Sequence, residues 1–401
     1  MRQLLKKYDA LGLGLDPVST GIGSFISSPP GYGRRSANVY PMKPRRIVII
    51  TDEFDLNADA VILRLREMGQ LPVRVNLKDV PAQTSFSLLL DGARRAGKLR
   101  TKNREIDLND IHSVFWGSPG PSQCPEGLSA DEQKFARAEI DHALNGLWAT
   151  LDCYWMSFPS HVREAGWKPG QLKRAAELGF EIPRTLFTSQ PGQVMPFYEQ
   201  CSGKMVFKVM GDPVLGLCDQ PSSKGSSPTA KAVYPILING DVLKEHLNNI
   251  ANTPCQFQEY VEKKLELRVA IIGDDIFVTE IDSPRQIRTP LDWRQSEAPM
   301  VLRKGSLPAE IEKRCFALVK GYGLNYGTID LILTPDGRYV FLECNPKGNC
   351  HQVQARVPEL KMIDAIAACL LRGKATLNGS TSGNSELSPV RMPPVGPSLC
   401  P

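Results

Sequence analysis

Residues 327–345, GTIDLILTPDGRYVFLECN, constrain the fold more than any other part of the chain. Two apolar runs flank a Pro-Asp-Gly turn, and this pattern predicts an antiparallel hairpin. Alternation in the second run predicts one face shared by four side chains, those of Tyr339, Phe341, Glu343 and Asn345. A carboxylate beside a carboxamide on such a face requires a partner, and a hard cation is one candidate.

The register of this hairpin decides whether a metal site can form. If Leu333 pairs with Arg338 across the turn, Asp330 lies diagonal to Glu343. Diagonal neighbours are about 7–8 Å apart, which a bridging cation can span. Asp330, Glu343 and Asn345 would then give Mg²⁺ three oxygen donors, and waters and phosphates would complete its octahedron. The alternative is a hairpin whose polar face meets solvent, and periodicity alone leaves it open.

The rest of the chain reads as mixed α/β. Apolar strands at 45–50, 72–77 and 113–116, with an amphipathic helix at 57–69, predict a parallel sheet, and 86–90 with 99–108 predict a hairpin. Further strands are expected at 204–210, 232–238, 256–261 and 265–282. Further helices are expected from Ser129, which forms a capping box with Glu132, to about Leu151, and at 168–179, 308–323 and 358–373.

These elements predict an order of domains. The expected segments are a flexible extension at 1–44, an α/β domain at 45–155, a central subdomain at 156–262 with a mobile loop at 211–231, a C-terminal subdomain at 263–373 with the metal site, and a disordered tail at 374–401. A Gly- and Ser-rich loop of this length is typical of a lid or of disorder.

Composition excludes several classes. The 401 residues are 42% hydrophobic and 23% charged, which is typical of globular proteins, and a net charge of +5 is too weak to indicate nucleic-acid binding. The ten cysteines form no CxxC pair, so neither a zinc site nor a disulfide scaffold is indicated. Neither a membrane span nor a signal peptide is recognisable, so we expect a cytoplasmic protein.

Two lysines are candidates for binding phosphate. Lys208 lies inside the apolar run KMVFKVM, where it is either an edge-strand charge or a phosphate clamp. Lys168 stands at the start of a predicted helix, and its alternative is a solvated lysine. The charged segment QFQEYVEKKLELR, 256–268, can meet a planar base with backbone groups, although taken alone it is better explained by a solvated charged turn.

Together these pieces resemble the ATP-grasp ligases, and most closely the microviridin or graspetide type that matures ribosomal peptides. The resemblance covers 45–373 and rests on ordered segments: RRIVIITDEFDLNADAV, SVFWGSP, WKPGQLKRAAELGFEIPRTLFTS, MVFKVM, FQEYVEKKLELRVAIIGDDIFVTEIDS, LDWR and YGTIDLILTPDGRYVFLECNPKGN. It implies an ATP-grasp fold in which a parallel-sheet domain precedes two α+β subdomains that clamp ATP. The chain departs from the family at Asn349 and Cys350, where glutamine and an aromatic residue usually stand, and at Met210 and Gly211, where proline is common.

The resemblance also implies site residues. Lys168 and Lys208 would bind the ATP phosphates, Gln258, Glu259 and Val261 the adenine, and Glu266 the ribose. Arg268 would face the γ-phosphoryl group or the acyl phosphate. Asp330, Glu343 and Asn345 would bind magnesium, with two ions expected. Asp292 and Arg294, in LDWR, match a motif near the substrate site, and Arg285 is a further candidate without an assigned role. Lys208, Arg268 and Arg294 would be catalytic.

The implied chemistry is ATP-dependent activation of a carboxylate as an acyl phosphate, followed by attack of a hydroxyl or amine. The substrate is then a ribosomal precursor peptide. Two alternatives stay open: a ligase that joins a free amino acid or a small peptide to an amine, and a protein that binds ATP without catalysis. No nucleic acid or membrane partner is expected, and a homodimer is compatible with the sequence.

Overall fold

The fold is described from a computed structural model. Residues 46–124, 126–211, 235–282 and 301–373 are described in full, and the backbone of the short pair 214–215 and 231–232 is also described. The predicted tails and most of the loop at 211–231 lie outside these residues. The predicted domain boundaries stay predictions.

The elements alternate along the chain as the sequence pattern predicts. The strands are β1 (Arg46–Ile50), β2 (Val73–Val75), β3 (Ser85–Asp91), β4 (Arg94–Thr101), β5 (Arg104–Asp107), β6 (Ile111–Trp116), β7 (Tyr154–Met156), β8 (Thr185–Thr188), β9 (Met205–Lys208), β10 (Val214–Leu215), β11 (Lys231–Ala232), β12 (Ile236–Ile238), β13 (Cys255–Glu259), β14 (Leu265–Ile272), β15 (Asp275–Asp282), β16 (Val301–Lys304), β17 (Tyr326–Leu333) and β18 (Tyr339–Asn345). The helices are α1 (Leu56–Glu67), α2 (Ala130–Ala149), α3 (Pro159–Ala165), α4 (Lys168–Glu177), α5 (Val194–Gln200), α6 (Gly240–His246), α7 (Ala309–Gly321), α8 (Cys350–Arg356) and α9 (Met362–Arg372).

The first sheet is parallel and has the strand order β2-β1-β6-β7. Both faces of β1 are buried, which explains its unbroken apolar run. Ile47 and Ile49 pack in the cluster that contains α1 and α9, whereas Val48 and Ile50 pack in the cluster that contains Trp148 of α2. The predicted parallel-sheet domain is confirmed.

The segment between β2 and β6 forms three antiparallel strands, β3-β4-β5, and not the single hairpin expected from the sequence. The two-residue turn after Asp91 contains Gly92 at a φ of 55°, so β4 begins at Arg94, well before the predicted start. A second tight turn follows Thr101 and lets β5 pair back on β4.

Two antiparallel sheets complete the described chain. The central sheet has the order β12-β9-β13-β8, and its apolar side packs on α5 and α6. The larger sheet has the order β16-β15-β14-β17-β18, so β18 is an edge strand. None of the described helices is both long and apolar enough to cross a bilayer.

The predicted register of the last hairpin is wrong. Leu333 pairs with Tyr339, not with Arg338, because Thr334 and Arg338 close the turn. The Thr334 N–H donates to the Arg338 carbonyl at 3.0 Å, and the Arg338 N–H donates to Thr334 Oγ1 at 2.9 Å. The loop between the paired residues therefore has five residues, 334–338, one more than the sequence-based pairing assumed.

A bulge in β18 also changes which side chains of this strand share a face. Leu331 pairs with Phe341 and Asp330 pairs with Glu343, which leaves Leu342 as an extra residue. Phe341 is fully buried in the apolar core of this domain. It therefore faces away from Glu343, and the expectation that both lie on one face was wrong. The bulge places Asp330 directly opposite Glu343, where the sequence predicted a diagonal pair.

Candidate functional site

Three charged side chains stand in one row across the large sheet. Arg268 on β14 pairs with Asp330 on β17, which pairs with Glu343 on β18. Arg268 Nη1 donates to Asp330 Oδ1 at 2.9 Å and to Oδ2 at 3.2 Å. Arg268 is 9% exposed, so this ion pair lies mostly out of water. Three neighbouring strands thus hold the predicted metal ligands and the predicted phosphate-facing arginine together.

Asn345 joins the two carboxylates of this row. Its Nδ2 donates to Asp330 Oδ2 and to Glu343 Oε1, both at 3.1 Å. The structure therefore brings all three predicted ligands together, and rotation of the amide would turn Oδ1 toward the carboxylates. Within the described ranges no three His, Cys, Asp or Glu side chains form a metal-holding group, so a cation here depends on two carboxylates and an amide oxygen. Such all-oxygen donors suit Mg²⁺.

Lys168 approaches this row from α4. Its Nζ donates to Glu343 Oε2 at 2.9 Å, and the side chains are 19% and 21% exposed. Burial alone raises the pKa of Glu343, but the charges of Lys168 and Lys208, with hydrogen bonds from Lys168 and Asn345, lower that pKa to about 2. The carboxylate is therefore ionised at neutral pH and can hold a cation. Both predicted lysines face the same carboxylate.

A small pocket of about 50 Å³ lies beside the row, between the central and large sheets. Its lining contains most of the residues predicted to bind nucleotide, namely Lys208, Gln258, Glu259, Val261 and Glu266. Lys208 is the last residue of β9 and borders the pocket rather than lying at an exposed sheet edge, since β9 pairs on both sides. The sequence feature that singled out Lys208 was its position within an apolar run, and the structure places this lysine at the pocket.

The far end of the pocket combines backbone and side-chain polar groups. Gln258 is buried, and its Nε2 donates to Thr185 Oγ1 at 3.0 Å. The Glu259 N–H donates to the Arg184 carbonyl at 2.9 Å. That amide is thereby committed to the sheet, which limits what Glu259 can offer a ligand to its other backbone group and its side chain.

Several pocket residues were not predicted from the sequence. Val206, Ile332 and Leu342 supply the apolar surface, and Lys263 forms an ion pair with Glu266. Leu342 reaches the pocket because it is the extra residue of the bulge, and strict alternation places it on the opposite face. Lys263 was visible as one of several charges in the segment 262–266, but nothing in that run singled it out.

A larger cleft of about 700 Å³ opens at the end of β18. It separates the end of the parallel sheet from the loop that follows β18. Its lining includes Trp116, Trp148, Arg163, Arg268, Asn345 and Lys347. The aromatic wall and the three cations give this cleft an amphipathic character that the sequence did not reveal. Arg285, Asp292 and Arg294, the predicted residues near the substrate, lie outside the described residues.

Comparison with known proteins identifies the fold. Residues 46–163 match the MvdD pre-ATP grasp domain. The macrocyclase MdnC from Microcystis aeruginosa MRC, solved with the precursor peptide MdnA, is 27% identical, with 81% of this chain and 99% of that chain aligned at a TM-score of 0.70. The fold is that of the graspetide-type ATP-grasp ligases. The resemblance predicted from the sequence is confirmed.

Other ATP-grasp structures align over the same region. A RiPP-associated ATP-grasp ligase from Chryseobacterium gregarium, solved with ADP and leader and core peptides, is 28% identical, with coverages of 82% and 96% and a TM-score of 0.71. The ATP-grasp ligase PsnB, solved with a minimal precursor variant, Mg and ADP, shares the fold at 20% identity, with coverages of 82% and 98% and a TM-score of 0.63. A search of curated protein sequences gave no significant match.

Proposed function

We propose that this ATP-grasp chain is an ATP-dependent ligase that links side chains of a ribosomal precursor peptide. It would join Asp or Glu carboxylates to Ser or Thr hydroxyls, or to a Lys amine, through an acyl phosphate. The likeness to MdnC, solved with its precursor peptide, and to the Chryseobacterium gregarium ligase, solved with ADP and peptide, supports this proposal.

One observation carries the proposal. The row of Arg268, Asp330 and Glu343 lies between two cavities that border the same hairpin. Ile332 and Leu342 border the small pocket, whereas Asn345 and the loop after it border the large cleft. A nucleotide in the small pocket would direct its phosphates at the row, and a peptide in the cleft would meet them there.

The nucleotide would be held by residues already in place. Gln258 and Glu259 would meet the adenine at the end of β13, and Glu266 would accept from ribose hydroxyls. Lys168 and Lys208 would bind phosphate oxygens. Both lysines lie near Glu343, whose negative charge attracts them to the same place. Arg268 would face the γ-phosphoryl group from its position beside Asp330.

Asp330, Glu343 and Asn345 would hold magnesium, with two ions expected. Bound Mg²⁺ neutralises charge on the phosphates and the transferred phosphoryl group. The chain's own contribution is to keep the Glu343 carboxylate ionised and next to that of Asp330, which the lysines and Asn345 accomplish.

The bond-forming steps balance without an enzyme nucleophile. A peptide carboxylate oxygen attacks the γ-phosphorus, the bond to the bridging oxygen breaks and ADP leaves. A hydroxyl or amine then attacks the acyl carbon, phosphate leaves, and the proton of the nucleophile passes to phosphate or water. The peptide therefore loses the elements of one water molecule for each ring that forms. The residues named here position and stabilise charge.

The large cleft would receive the reacting peptide segment. Its cations, Arg163 and Lys347 with Arg268 deeper inside, favour a segment that carries Asp or Glu. The apolar wall of Trp116 and Trp148 would exclude water from the acyl phosphate. Arg294, with Asp292 and Arg285 nearby in sequence, is proposed to contact the same segment.

The test is incubation of the full chain with ATP, Mg²⁺ and peptides encoded beside its gene. We expect ADP formation and loss of one water per ring by mass spectrometry. Tandem mass spectra of the product would distinguish ester from amide links. An unchanged mass with every such peptide, combined with ADP release on small acids and amines, would favour the ligase of free amino acids. Nucleotide binding without any ADP formation would favour a non-catalytic protein.

A further inference from the structure

Among the described residues, no further strand pairs with the outer side of the strand that carries two of the proposed metal ligands, where Glu181 forms an isolated bridge with Val340. β18 is the edge strand of its sheet, and Cys344 lies between Glu343 and Asn345. Cys344 is buried, so its outward backbone groups cannot bond to water and must be satisfied by protein.

Gln171 on α4 satisfies both of these groups. Its Oε1 accepts the Cys344 N–H at 2.9 Å, and its Nε2 donates to the Cys344 carbonyl at 2.8 Å. The same Nε2 also donates to the carbonyl of Ala165, at the end of α3. Gln171 is 2% exposed. A carboxamide is a side chain that offers a donor and an acceptor side by side, as a neighbouring strand would.

These bonds fix the two peptide planes between the proposed ligands. The Cys344 N–H belongs to the plane shared with Glu343, and the Cys344 carbonyl belongs to the plane shared with Asn345. Holding both planes sets the direction in which the two side chains leave the strand. Lys168, one turn earlier on the same helix, contacts the Glu343 carboxylate itself.

We propose that Gln171 is a positioning residue that sets Glu343 and Asn345 for cation binding. It acts through the Cys344 backbone and contacts neither the cation nor the substrate. This inference rests on the proposed function, because it takes Asp330, Glu343 and Asn345 as the ligands. It assigns α4 two tasks: Lys168 holds a ligand side chain, and Gln171 holds the backbone between two ligands.

The hairpin itself provides a matched control. Thr334, at the turn, is also buried and also bonds to both backbone groups of one residue. Its Oγ1 accepts the Arg338 N–H at 2.9 Å and donates to the Arg338 carbonyl at 3.2 Å. It lies just past the end of β17, four residues after Asp330 and therefore roughly 13 Å farther along the strand direction. Thr334→Val thus removes a buried side-chain clamp from the backbone of the same hairpin, away from the ligands, while the residue 334 N–H keeps its bond to the Arg338 carbonyl.

The experiment compares Gln171→Met with Thr334→Val in the full chain. Mn²⁺ binding in the presence of ADP is followed by electron paramagnetic resonance, and thermal unfolding is recorded in parallel. We expect Gln171→Met to weaken Mn²⁺ binding roughly tenfold, as is typical for residues that orient metal ligands. The Mg²⁺ concentration for half-maximal ADP formation should rise by a similar factor. Thr334→Val should lower the unfolding temperature and leave Mn²⁺ binding unchanged.

Each outcome decides between specific claims. If Gln171→Met binds Mn²⁺ as tightly as the wild type, or no more weakly than Thr334→Val, the positioning role is overturned. If the wild type itself binds no Mn²⁺ with ADP, the metal assignment and this inference fall together. Gln171→Asn, which keeps the carboxamide but withdraws it by one methylene, is the milder variant if Gln171→Met does not fold. It should shift Mn²⁺ binding in the same direction by a smaller factor, and unchanged binding in this variant would also overturn the role.

Discussion

Arg268 and Asp330 lie directly opposite each other on neighbouring strands, and one guanidinium nitrogen, Nη1, donates to both oxygens of the carboxylate. The pair lies mostly out of water, where each charge is costly without the other. Asp330 is thus shared between an arginine and, in the proposed reaction, a cation. That sharing makes the aspartate important for both stability and turnover.

We therefore expect Asp330→Asn to lower the free energy of unfolding by about 3 kcal/mol, the lower end for breaking a buried pair, because Arg268 stays charged while the group opposite it becomes neutral. ADP formation should fall below detection even where the protein is folded. Denaturant unfolding and an ADP-release assay check the two effects. The control is Asp336→Asn in the exposed hairpin turn, where solvent screens the ion pair with Arg338, so its loss should change the free energy of unfolding far less. Full turnover in Asp330→Asn would remove Asp330 from the metal site.

Glu343 gives the unfolding free energy a specific pH dependence. Its pKa is about 2 in the folded chain and about 4.5 when unperturbed. A lowered folded-state pKa stabilises the fold above pH 4.5, and this stabilisation disappears as the pH falls from 4.5 through 2. From the shift, the charged form contributes on the order of 3 kcal/mol.

The check is a comparison of wild type with Glu343→Gln at several pH values. The difference in unfolding free energy should be constant above about pH 5 and should shrink at lower pH, because the wild-type carboxylate becomes protonated as well. A difference that stays constant down to pH 3 would show that the charge of Glu343 does not stabilise the fold.

The donor residues could be read from the sequence, but their geometry could not. Acidic and amide side chains inside an apolar hairpin are conspicuous, and Lys208 in an apolar run is equally so. The register was wrong because Thr334 and Arg338 close a longer turn, and the face was wrong because Leu342 is an extra residue. Turn closure and bulges depend on bonds and packing that alternation does not encode.

Contacts between segments that are distant in sequence could not be predicted either, because local sequence patterns do not encode them. Gln171 looks like an ordinary helix residue in KPGQLKRAAELG, and its role depends on the place where α4 packs on β18. The cleft between Trp116 and Lys347 likewise exists because the end of the parallel sheet and the loop after β18 lie close together. Local patterns predicted the parallel sheet, the capping box at Ser129 and the hairpin strands, since those depend on neighbours in sequence.

Lys208 is expected to bind phosphate. Lys208→Ala should weaken ATP binding roughly 10- to 100-fold, the usual range for losing one charge-assisted hydrogen bond. Fluorescent-nucleotide titration measures the affinity, and ADP release measures turnover. Lys204→Ala, which removes an exposed lysine just before β9, is the control and should change neither. A Lys208→Ala protein with wild-type affinity and wild-type turnover would dismiss the phosphate role.

Gly348 is expected to tolerate no side chain. A Cβ at this position would overlap Oγ1 and Cγ2 of Thr328 on β17. The loop cannot easily yield, because Tyr326 donates to the Gly348 carbonyl and the Gly348 N–H donates to the Asn345 carbonyl at 3.1 Å. Gly348→Ala should therefore displace Asn345 and lower turnover roughly a hundredfold, as a misplacement near 1 Å can do.

Removal of the obstructing atoms tests this explanation. The double variant Gly348→Ala with Thr328→Gly eliminates the overlap, so it should recover part of the turnover despite the added flexibility in β17. Gly146→Ala in α2 is the matched control, because its new Cβ would meet nothing within 4 Å. That control should stabilise the chain by about 0.5–1 kcal/mol, as expected for glycine to alanine inside a helix. If the double variant were no more active than Gly348→Ala alone, the contact with Thr328 would not be the reason that glycine is required.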